Sequence, residues 1–370
     1  MRRLIGLIVN PVAGLGGPAG FKGTDAPWIV KTALSRGYRP TSPIKAERAV
    51  RILLARIPEV QFVSPRGVMG EQTLKRVGAR IAKVLEVPNS CETTPEDTVE
   101  AAKRMCGLGV ALILFCGGDG TAADVVSAVD QRVPILGIPA GVKMFSGVFA
   151  YSPEDAGLLA AEYVEGRVGV RTAEIVDAVE DLYRQGELRL ELKGFAITPD
   201  DPAHIQCTKE PTRGGDEAVY DGIAAYLAEN MDPNTLYILG PGSTVSKVAA
   251  RLGIEKTPLG VDVALGNRLI AKDVDARELE VIVDRHAGPV KLILTPVGGS
   301  GVLLGRGNQQ ISERVLERLD KTDLMVISHP AKLAKLRELR LDVNEELRAR
   351  FRGYLRVVTG YREETLIRVL

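Results

Sequence analysis

The amino-acid sequence predicts an α/β fold in which a parallel β-sheet carries helices on both faces. The first observation is a set of short apolar runs rich in branched residues, such as 4–9 and 110–115, which are typical of strands buried on both faces. The second is that amphipathic segments of helical period alternate with these runs. The third is that glycine-rich turns follow several of the runs, at the edge where an open α/β sheet binds its ligands.

The composition limits the classes of function. The chain has 370 residues, enough for two domains, with 45% hydrophobic and 26% charged residues, as in folded globular proteins. A net charge of +1 and the lack of a long basic block give no reason to expect nucleic acid as a partner. No apolar run has the length of a membrane span, and the first run stops at Asn10-Pro11 without a cleavage site. We therefore expect a cytoplasmic protein without a nucleic-acid or membrane partner.

The first strand, 4–9, leads into a loop at 10–20 that contains four glycines and two prolines. A loop of this length inside a compact domain is usually functional or disordered, so we interpret it as a mobile phosphate or nucleotide loop that begins at Asn10. A plain flexible connection is the alternative. The next part of the chain has a strand-like run at 61–63 and helical patterns at 46–56, 71–85 and 95–107.

The central motif is Cys116-Gly-Gly-Asp-Gly-Thr121, which follows the apolar run 110–115 and precedes a helical pattern at 122–129. A strand, a glycine turn and a helix N-terminus bring backbone N–H groups together at one point, which favours anionic oxygens. Asp119 lies in the middle of that turn, where a carboxylate repels phosphate unless it holds a metal ion or takes a proton from a reacting hydroxyl. The motif therefore indicates phosphoryl transfer.

The following apolar run, 132–138, ends in a second glycine-containing loop at 139–147. Because consecutive parallel strands end at the same edge of a sheet, we expect this loop to lie beside the turn that holds Asp119. Lys143 is the strong cation of the loop, and its compact charge suits a phosphate of a bound nucleotide. A solvated loop lysine is the alternative.

The alternation of strands and helices weakens after Arg167, where we expect a domain change. Strand-like runs with alternating polar residues suggest a half-exposed antiparallel sheet, and a polar segment at 196–215 suggests a surface excursion. The predicted domains are 1–166, 167–330 and a C-terminal segment, 331–370, that packs back on the core.

Two later glycine turns add candidate ligand contacts. Gly242, Ser243 and Thr244 follow an apolar strand and open a helix, where the hydroxyls bind a ligand or simply cap the helix. A glycine-rich loop at 296–307 precedes three amide residues that begin with Asn308, and such amides suit a polar ligand. The three histidines, His204, His286 and His329, share no ligand spacing with cysteines or acidic pairs, so we assign no metal-ligating side chain.

The segment 115–121 resembles the signature of the ATP-NAD kinase and diacylglycerol kinase superfamily. Asn10-Pro11 is similar to the opening loop of that superfamily, and 240–253 resembles the Gly-Ser-Thr loop and helix of NAD kinases. The loop 298–310 resembles the archaeal and bacterial branch that includes acetoin-catabolism protein X and predicted polyphosphate/ATP-NAD kinases. The resemblance implies an NAD-kinase-like fold, with a Rossmann-like parallel-sheet domain at the N-terminus and a β-rich second domain.

The reaction that the resemblance implies is phosphorylation of the 2′-hydroxyl of the adenosine ribose of NAD to give NADP. ATP or another phosphate donor and Mg²⁺ would take part, and a homo-oligomer is the assembly that the resemblance suggests. Asp119 corresponds to the aspartate that meets the ribose hydroxyl. The glycine turn that lines the phosphates corresponds to Gly117, Gly118, Gly120 and Thr121, and the loop that borders the dinucleotide corresponds to Ser243 and Thr244.

The sequence departs from the family pattern at two places. NAD kinases hold the ribose with an Asn-Glu pair after the first domain, and Asp177 and Glu180 are the nearest substitutes here. Lipid kinases of the superfamily carry Asn-Glu and Gly-Thr-x-Asn patterns, where this chain has Ala123-Asp124 and the different segment 141–143. A kinase of another hydroxyl, on a lipid or a small metabolite, and a non-catalytic dinucleotide-binding regulator stay as alternatives.

Overall fold

The computed structural model describes residues 4–21, 27–87, 93–141, 144–178, 189–206, 217–297 and 300–370. Its contacts divide the chain into two compact units. Unit 1 comprises Met1–Gly16 and Gly23–Lys209, and unit 2 comprises Gly17–Lys22 and Glu210–Leu370. Among the described residues, no helix has the length and apolar character needed to cross a membrane.

The strands of unit 1, β1 to β7, are Leu4–Val9, Gln61–Pro65, Arg80–Leu85, Leu112–Gly117, Ile135–Pro139, Val170–Ala178 and Leu190–Pro199. The helices of unit 1, α1 to α6, are Pro27–Ser35, Ser42–Arg56, Glu71–Arg76, Pro95–Leu108, Asp119–Val129 and Pro153–Val164. A short 3₁₀ turn, Gly67–Met69, precedes α3.

Five of these strands form a parallel sheet in the order β3-β2-β1-β4-β5. Side chains alternate between the two faces of each strand, so Leu7 of β1 packs with α2 and α6 while Ile8 packs with α4 and α5. Both side chains are fully buried. The predicted parallel sheet with helices on both faces is therefore confirmed.

The chain changes the side of β1 on which it adds strands, and the change lies between β1 and β4. From β1 the chain adds β2 and β3 on one side, and then returns to add β4 and β5 on the other. The register pairs Val9 with Cys116, so the loops that follow β1 and β4 begin side by side. In open α/β sheets such a reversal at the carboxyl ends of the strands forms the ligand crevice.

The hairpin of β6 and β7 belongs to unit 1, whose second segment extends through Lys209. Its inward side chains Ala173, Ile175 and Ala196 join the core around α5, and this burial accounts for the position of the division. The predicted surface excursion at 196–215 is wrong at its start, because Leu190–Pro199 completes the hairpin.

The predicted helix at 71–85 is also wrong in its second half. The helix ends at Arg76, and Gly78 adopts a positive φ of 69°, a conformation that favours glycine and reverses the chain. Arg80–Leu85 then pairs with β2 as the edge strand of the sheet. The exposed charged side chains of this edge strand produce a sequence pattern like that of a solvent-exposed helix, and for this reason the pattern predicted a helix.

The strands of unit 2, β8 to β16, are Leu236–Leu239, Asp262–Leu265, Arg268–Ala271, Val290–Leu294, Val302–Leu304, Leu324–Ile327, Arg340–Leu341, Gly353–Gly360 and Glu363–Val369. The helices of unit 2, α7 to α12, are Glu217–Asn230, Ser243–Arg251, Ala276–Arg285, Glu313–Glu317, Pro330–Leu333 and Glu345–Phe351. A 3₁₀ turn, Lys321–Asp323, precedes β13.

Unit 2 is strand-rich, and its main sheet has seven strands in the order β10-β9-β8-β11-β13-β15-β16. The central strands β8, β11, β13 and β15 are parallel, and antiparallel strands complete both edges. Strands β12 and β14 form a separate parallel pair. The last two strands come from the C-terminal segment, whose Val357 and Ile367 lie in the core of the unit.

Candidate functional site

The turn after β4 and the loop after β1 meet at the carboxyl edge of the sheet in unit 1. The backbone N–H of Asn10 donates to the carbonyl oxygen of Cys116 at 2.9 Å, and the side-chain amide of Asn10 donates to Thr121 Oγ1 at 3.0 Å. A Cβ atom on Gly117 would lie 2.6 Å from Thr121 Cβ, which only glycine avoids. The structure thus brings together three of the predicted site residues.

The first part of the glycine-rich loop is packed against the beginning of α2. Ser42 Oγ donates to the carbonyl oxygen of Asn10 at 2.6 Å, and the Ser42 N–H donates to the carbonyl oxygen of Ala13 at 3.3 Å. Gly14 has a φ of 78°, and a Cβ atom there would lie 2.8 Å from the Ala140 carbonyl oxygen. Residues 13–16 are buried. The expected mobile loop is, in this part, a hydrogen-bonded wall of the crevice.

The N-terminus of α5 lies at the same edge. Gly118 is its N-cap residue and supplies no side chain to the first turn, so backbone N–H groups of that turn have no side-chain cap. A Cβ atom on Gly120 would meet no atom within 4 Å, which marks open space next to the turn. Such a terminus attracts the negative charge of a phosphate group through its N–H groups and its dipole.

Asp119 turns its carboxylate toward the loop that follows β5. Its Oδ2 atom accepts from the Phe145 N–H at 2.6 Å, and its Oδ1 atom accepts from the Ser146 N–H at 3.0 Å and from Ser146 Oγ at 2.6 Å. Asp119 is 1% exposed. Two carboxylate oxygens offer about four lone-pair positions, so these three donors leave about one position, on Oδ2, for another proton.

The environment of Asp119 shifts its acidity. Burial raises the pKa of the carboxyl, the Ser146 hydroxyl and the Phe145 and Ser146 N–H groups lower it, and the charge of Asp177 raises it. The net result is a pKa of about 6. A carboxyl with a pKa near 6 is mostly ionised at neutral pH and still accepts a proton readily, which is the condition for a general base.

Asp124 lies on the same helix, α5, and also has a raised pKa. Burial, together with the charges of Glu96 and Asp177, raises the pKa of Asp124 to about 6. The charge of Asp177 therefore acts on both Asp119 and Asp124. Negative charge near these two carboxyls favours the binding of a cation.

His204 lies among acidic side chains that the sequence spacing did not indicate. Its Nδ1 atom lies 2.8 Å from Asp155 Oδ1 and its Nε2 atom 3.8 Å from Asp201 Oδ2. The hydrogen bond to Asp155 raises the pKa of His204 despite its partial burial. Among the described residues, donor atoms of Glu162, Asp201 and His204 lie within 4.8 Å of one another, a set that could hold a metal ion.

Glu162 has a cationic partner as well, because Arg56 Nη1 lies 3.4 Å from its Oε1 atom. The lack of ligand spacing around His204 in the sequence therefore gave no sign of these acidic neighbours. Asp155 and His204 are 49 positions apart and belong to different elements, so no local spacing could have shown their contact.

The predicted residues of the later glycine turns belong to unit 2. Gly242 has a φ of 120° and is the N-cap of α8, whose first residues are the exposed Ser243 and the buried Thr244. The side chain of Asn308 donates to the Leu303 carbonyl oxygen at 2.8 Å and accepts from the Gly305 N–H at 2.8 Å. In this structure the Asn308 amide closes its own loop.

Some predicted residues have no structural account. Lys143 and Glu180 lie outside the described residues, as do Gly298 and Gly299 of the later glycine loop. Conversely, the structure identifies Ser146 as a neighbour of Asp119 that the sequence did not single out. A serine in a glycine-containing loop carries no pattern that would predict a contact 27 positions away.

Comparison with known proteins identifies two domains. The model of the ATP-NAD kinase N-terminal domain matches residues 5–168, and the model of the ATP-NAD kinase C-terminal domain matches residues 232–369. No curated protein sequence matches the chain.

The solved structures that resemble the chain do so distantly. A putative diacylglycerol kinase from Bacillus anthracis str. Sterne has 17% identity and a TM-score of 0.26, over 48% of this chain and 46% of that one. The match thus spans less than half of the kinase's length. A putative UDP-N-acetylglucosamine 2-epimerase from Listeria monocytogenes has 12% identity and a TM-score of 0.26, over 88% of this chain and 78% of the other. At these TM-scores neither structure bears on activity.

Proposed function

This chain belongs to the ATP-NAD kinase family, whose members transfer a phosphoryl group to an alcohol, and we propose that its acceptor is the 2′-hydroxyl of the adenosine ribose of NAD. The observation that carries the proposal is the position of Asp119. A buried carboxylate with a pKa of about 6 begins a helix at the switch point of a parallel sheet, where a donor's phosphates would bind.

In the proposed reaction the ribose oxygen attacks the terminal phosphorus of the donor. A new O–P bond forms, the P–O bond to the leaving phosphate breaks, and the hydroxyl proton passes to Oδ2 of Asp119. The N–H groups at the start of α5 stabilise negative charge on the phosphoryl oxygens. Such catalysis is mostly positioning and electrostatics, and the fixed geometry of Gly117 and Thr121 supports it.

We propose that Mg²⁺ takes part in the reaction. Asp124 is partly exposed, and its raised pKa reflects burial and neighbouring negative charge that a divalent cation would offset. Mg²⁺ usually binds through one or two carboxylates and the phosphates of its substrate. We propose that Asp124 supplies a carboxylate to the ion, which when bound would neutralise charge on the phosphates. Of the two substitutes for the Asn-Glu pair, Asp177 lies among the described residues, and we propose that it accepts a hydrogen bond from the ribose.

The test is NADP formation by the purified protein. We would incubate it with Mg²⁺, NAD and either ATP or polyphosphate, and detect NADP with an NADP-specific dehydrogenase. Parallel reactions with NADH or diacylglycerol as acceptor test the neighbouring activities. Phosphorylation of diacylglycerol but not of NAD would show that the acceptor is a lipid and would refute NAD as the acceptor. NAD binding without turnover with either donor would favour a dinucleotide-binding regulator.

Two matched variants test the role of Asp119. Asp119→Asn should lower the rate by about 10²–10⁴, the usual contribution of a general base. Asp130→Asn is the control, because Asp130 is an exposed residue at the other end of the same helix. We expect it to retain full activity. An Asp119→Asn protein as active as the Asp130→Asn protein would refute the assignment.

A further inference from the structure

The loop that donates to Asp119 is itself held from its opposite side by Gln206. The Gln206 amide nitrogen donates to the carbonyl oxygen of Ser146 at 2.8 Å and to that of Met144 at 3.2 Å. Gln206 is 3% exposed, so both bonds form away from solvent. This side chain lies 60 positions beyond Ser146 in the chain and had no role in the sequence-based site.

The geometry of the peptide bond links Gln206 to Asp119. In a planar trans peptide, the C=O and N–H groups point in opposite directions. The peptide between Met144 and Phe145 gives its carbonyl oxygen to Gln206 and its N–H to Asp119 Oδ2. Holding the carbonyl on one side therefore fixes the direction of the N–H on the other.

Gln206 is fixed in turn by neighbouring elements. The backbone N–H of Gln206 donates to the Phe149 carbonyl oxygen at 3.0 Å, and the backbone carbonyl oxygen of Gln206 accepts from Arg171 Nη2 at 2.8 Å. The same Arg171 nitrogen donates to the Gly147 carbonyl oxygen at 2.7 Å. The loop and the segment that holds it are thus joined through one guanidinium group of β6.

We propose that Gln206 is a positioning residue for Asp119, because it orients the peptide groups of the 144–147 loop so that their N–H groups face the carboxylate. Without its amide, the buried carbonyl groups of Met144 and Ser146 each lose a hydrogen bond, and the loop gains the freedom to turn its N–H groups away. The buried negative charge of Asp119 would then lose part of its stabilisation. The effect on turnover rests on the proposed kinase function, whereas the effect on the Asp119 carboxyl does not.

The test compares three variants of the full-length chain. Gln206→Met keeps the length of the side chain and removes its donors. Arg171→Lys weakens the hydrogen bonds that the partly exposed Arg171 donates to the same loop and to Gln206. Thr198→Val is the matched control. Thr198 pairs with Arg171 across the hairpin and is fully buried, but its hydroxyl has no hydrogen-bond partner in the described structure.

The first readout is the titration of the Asp119 carboxyl by ¹³C NMR, assigned by the signal lost in Asp119→Asn. We expect the pKa to rise by roughly one unit in Gln206→Met and by less in Arg171→Lys, since loop donors lower it. Asp177, the charged neighbour of Asp119 on β6, is unchanged in every variant. If Gln206→Met does not fold, Arg171→Lys decides the matter. Folded variants that titrate like Thr198→Val would overturn the proposal.

The second readout is the pH profile of NADP formation. Gln206→Met should lower kcat by about tenfold, with little change in the KM for NAD, and should shift the acid limb upward with the NMR pKa. A shifted titration in a protein without NADP-forming activity would refute NAD as the acceptor and leave the positioning role standing. An acid limb that stays in place while the Asp119 pKa shifts would show that Gln206 does not act on turnover through Asp119.

Discussion

Replacing Gly117 with alanine should destabilise unit 1 through a single close approach. The added Cβ atom would lie 2.6 Å from Cβ and 2.9 Å from Cγ2 of Thr121, closer than real Cβ atoms come to other atoms. Thr121 is 4% exposed and accepts the hydrogen bond of Asn10, so it has little room to move aside. Overpacking costs about 1–3 kcal/mol and the lost hydrogen bond about 1 kcal/mol. We expect a loss of about 2–4 kcal/mol in the free energy of unfolding.

The control for this prediction lies three positions along the same motif. A Cβ atom on Gly120 meets no atom within 4 Å, and alanine is the better helix former, so Gly120→Ala should be neutral or stabilise by up to about 1 kcal/mol. The contrast between the two alanine variants separates the effect of a close contact from the general effect of losing a glycine.

Urea unfolding followed by tryptophan fluorescence measures this effect in unit 1. The single tryptophan, Trp28, lies in α1 of that unit. Thr121→Ala should restore part of the stability of Gly117→Ala, so the double variant should lose less than the sum of the single losses. Equal stability of Gly117→Ala and Gly120→Ala, or strict additivity in the double variant, would refute the reasoning.

Three further predictions concern charge. The pKa of His204 is raised above its ordinary 6.5, so the protonated imidazole stabilises the fold fully below pH 6.5. This stabilisation is lost as the pH rises through the pKa of the folded state. The Tm difference between wild type and His204→Gln should therefore shrink between pH 6 and pH 8. The pKa of Asp119 is raised from 3.8 to about 6, so its charge destabilises the fold above pH 6 and no longer does so below pH 3.8. As the pH falls through this window, Asp119→Asn should therefore gain less stability than the wild type. A stability difference between wild type and Asp119→Asn that does not change with pH would contradict the raised pKa. Asp124→Asn should raise the Mg²⁺ concentration needed for half-maximal NADP formation by about tenfold, and an unchanged requirement would remove Asp124 from the proposed ion site.

The parts of the fold and site that local patterns encode could be predicted from the sequence. Buried parallel strands are continuous apolar runs, and β4 and its glycine turn are distinct for that reason. The contact of Asn10 with Thr121 follows from two such strands lying side by side, with their loops at one edge. Neighbouring strands and the turns between them are therefore within reach of sequence reasoning.

The interactions that hold Asp119 could not be predicted in this way. Ser146 and Gln206 reach it through a loop and a short segment whose contacts span tens of positions, and neither residue repeats with a helical or strand period. The same limit applies to β3, where only the turn at Gly78 and the pairing with β2 decide between helix and strand. Long-range pairing of polar groups leaves no mark in local sequence patterns.

The glycine-rich stretch after β1 has a consequence for how the chain is assembled. Gly17–Lys22 clusters with unit 2, where the Pro18 carbonyl oxygen accepts from the Ala276 N–H at 2.8 Å and a Cβ atom on Gly17 would lie 2.6 Å from Gln309 Cδ. Unit 2 is thus discontinuous in sequence. A fragment beginning after Lys209 would lack six of its residues, and during synthesis those six emerge long before the rest of the unit that they complete.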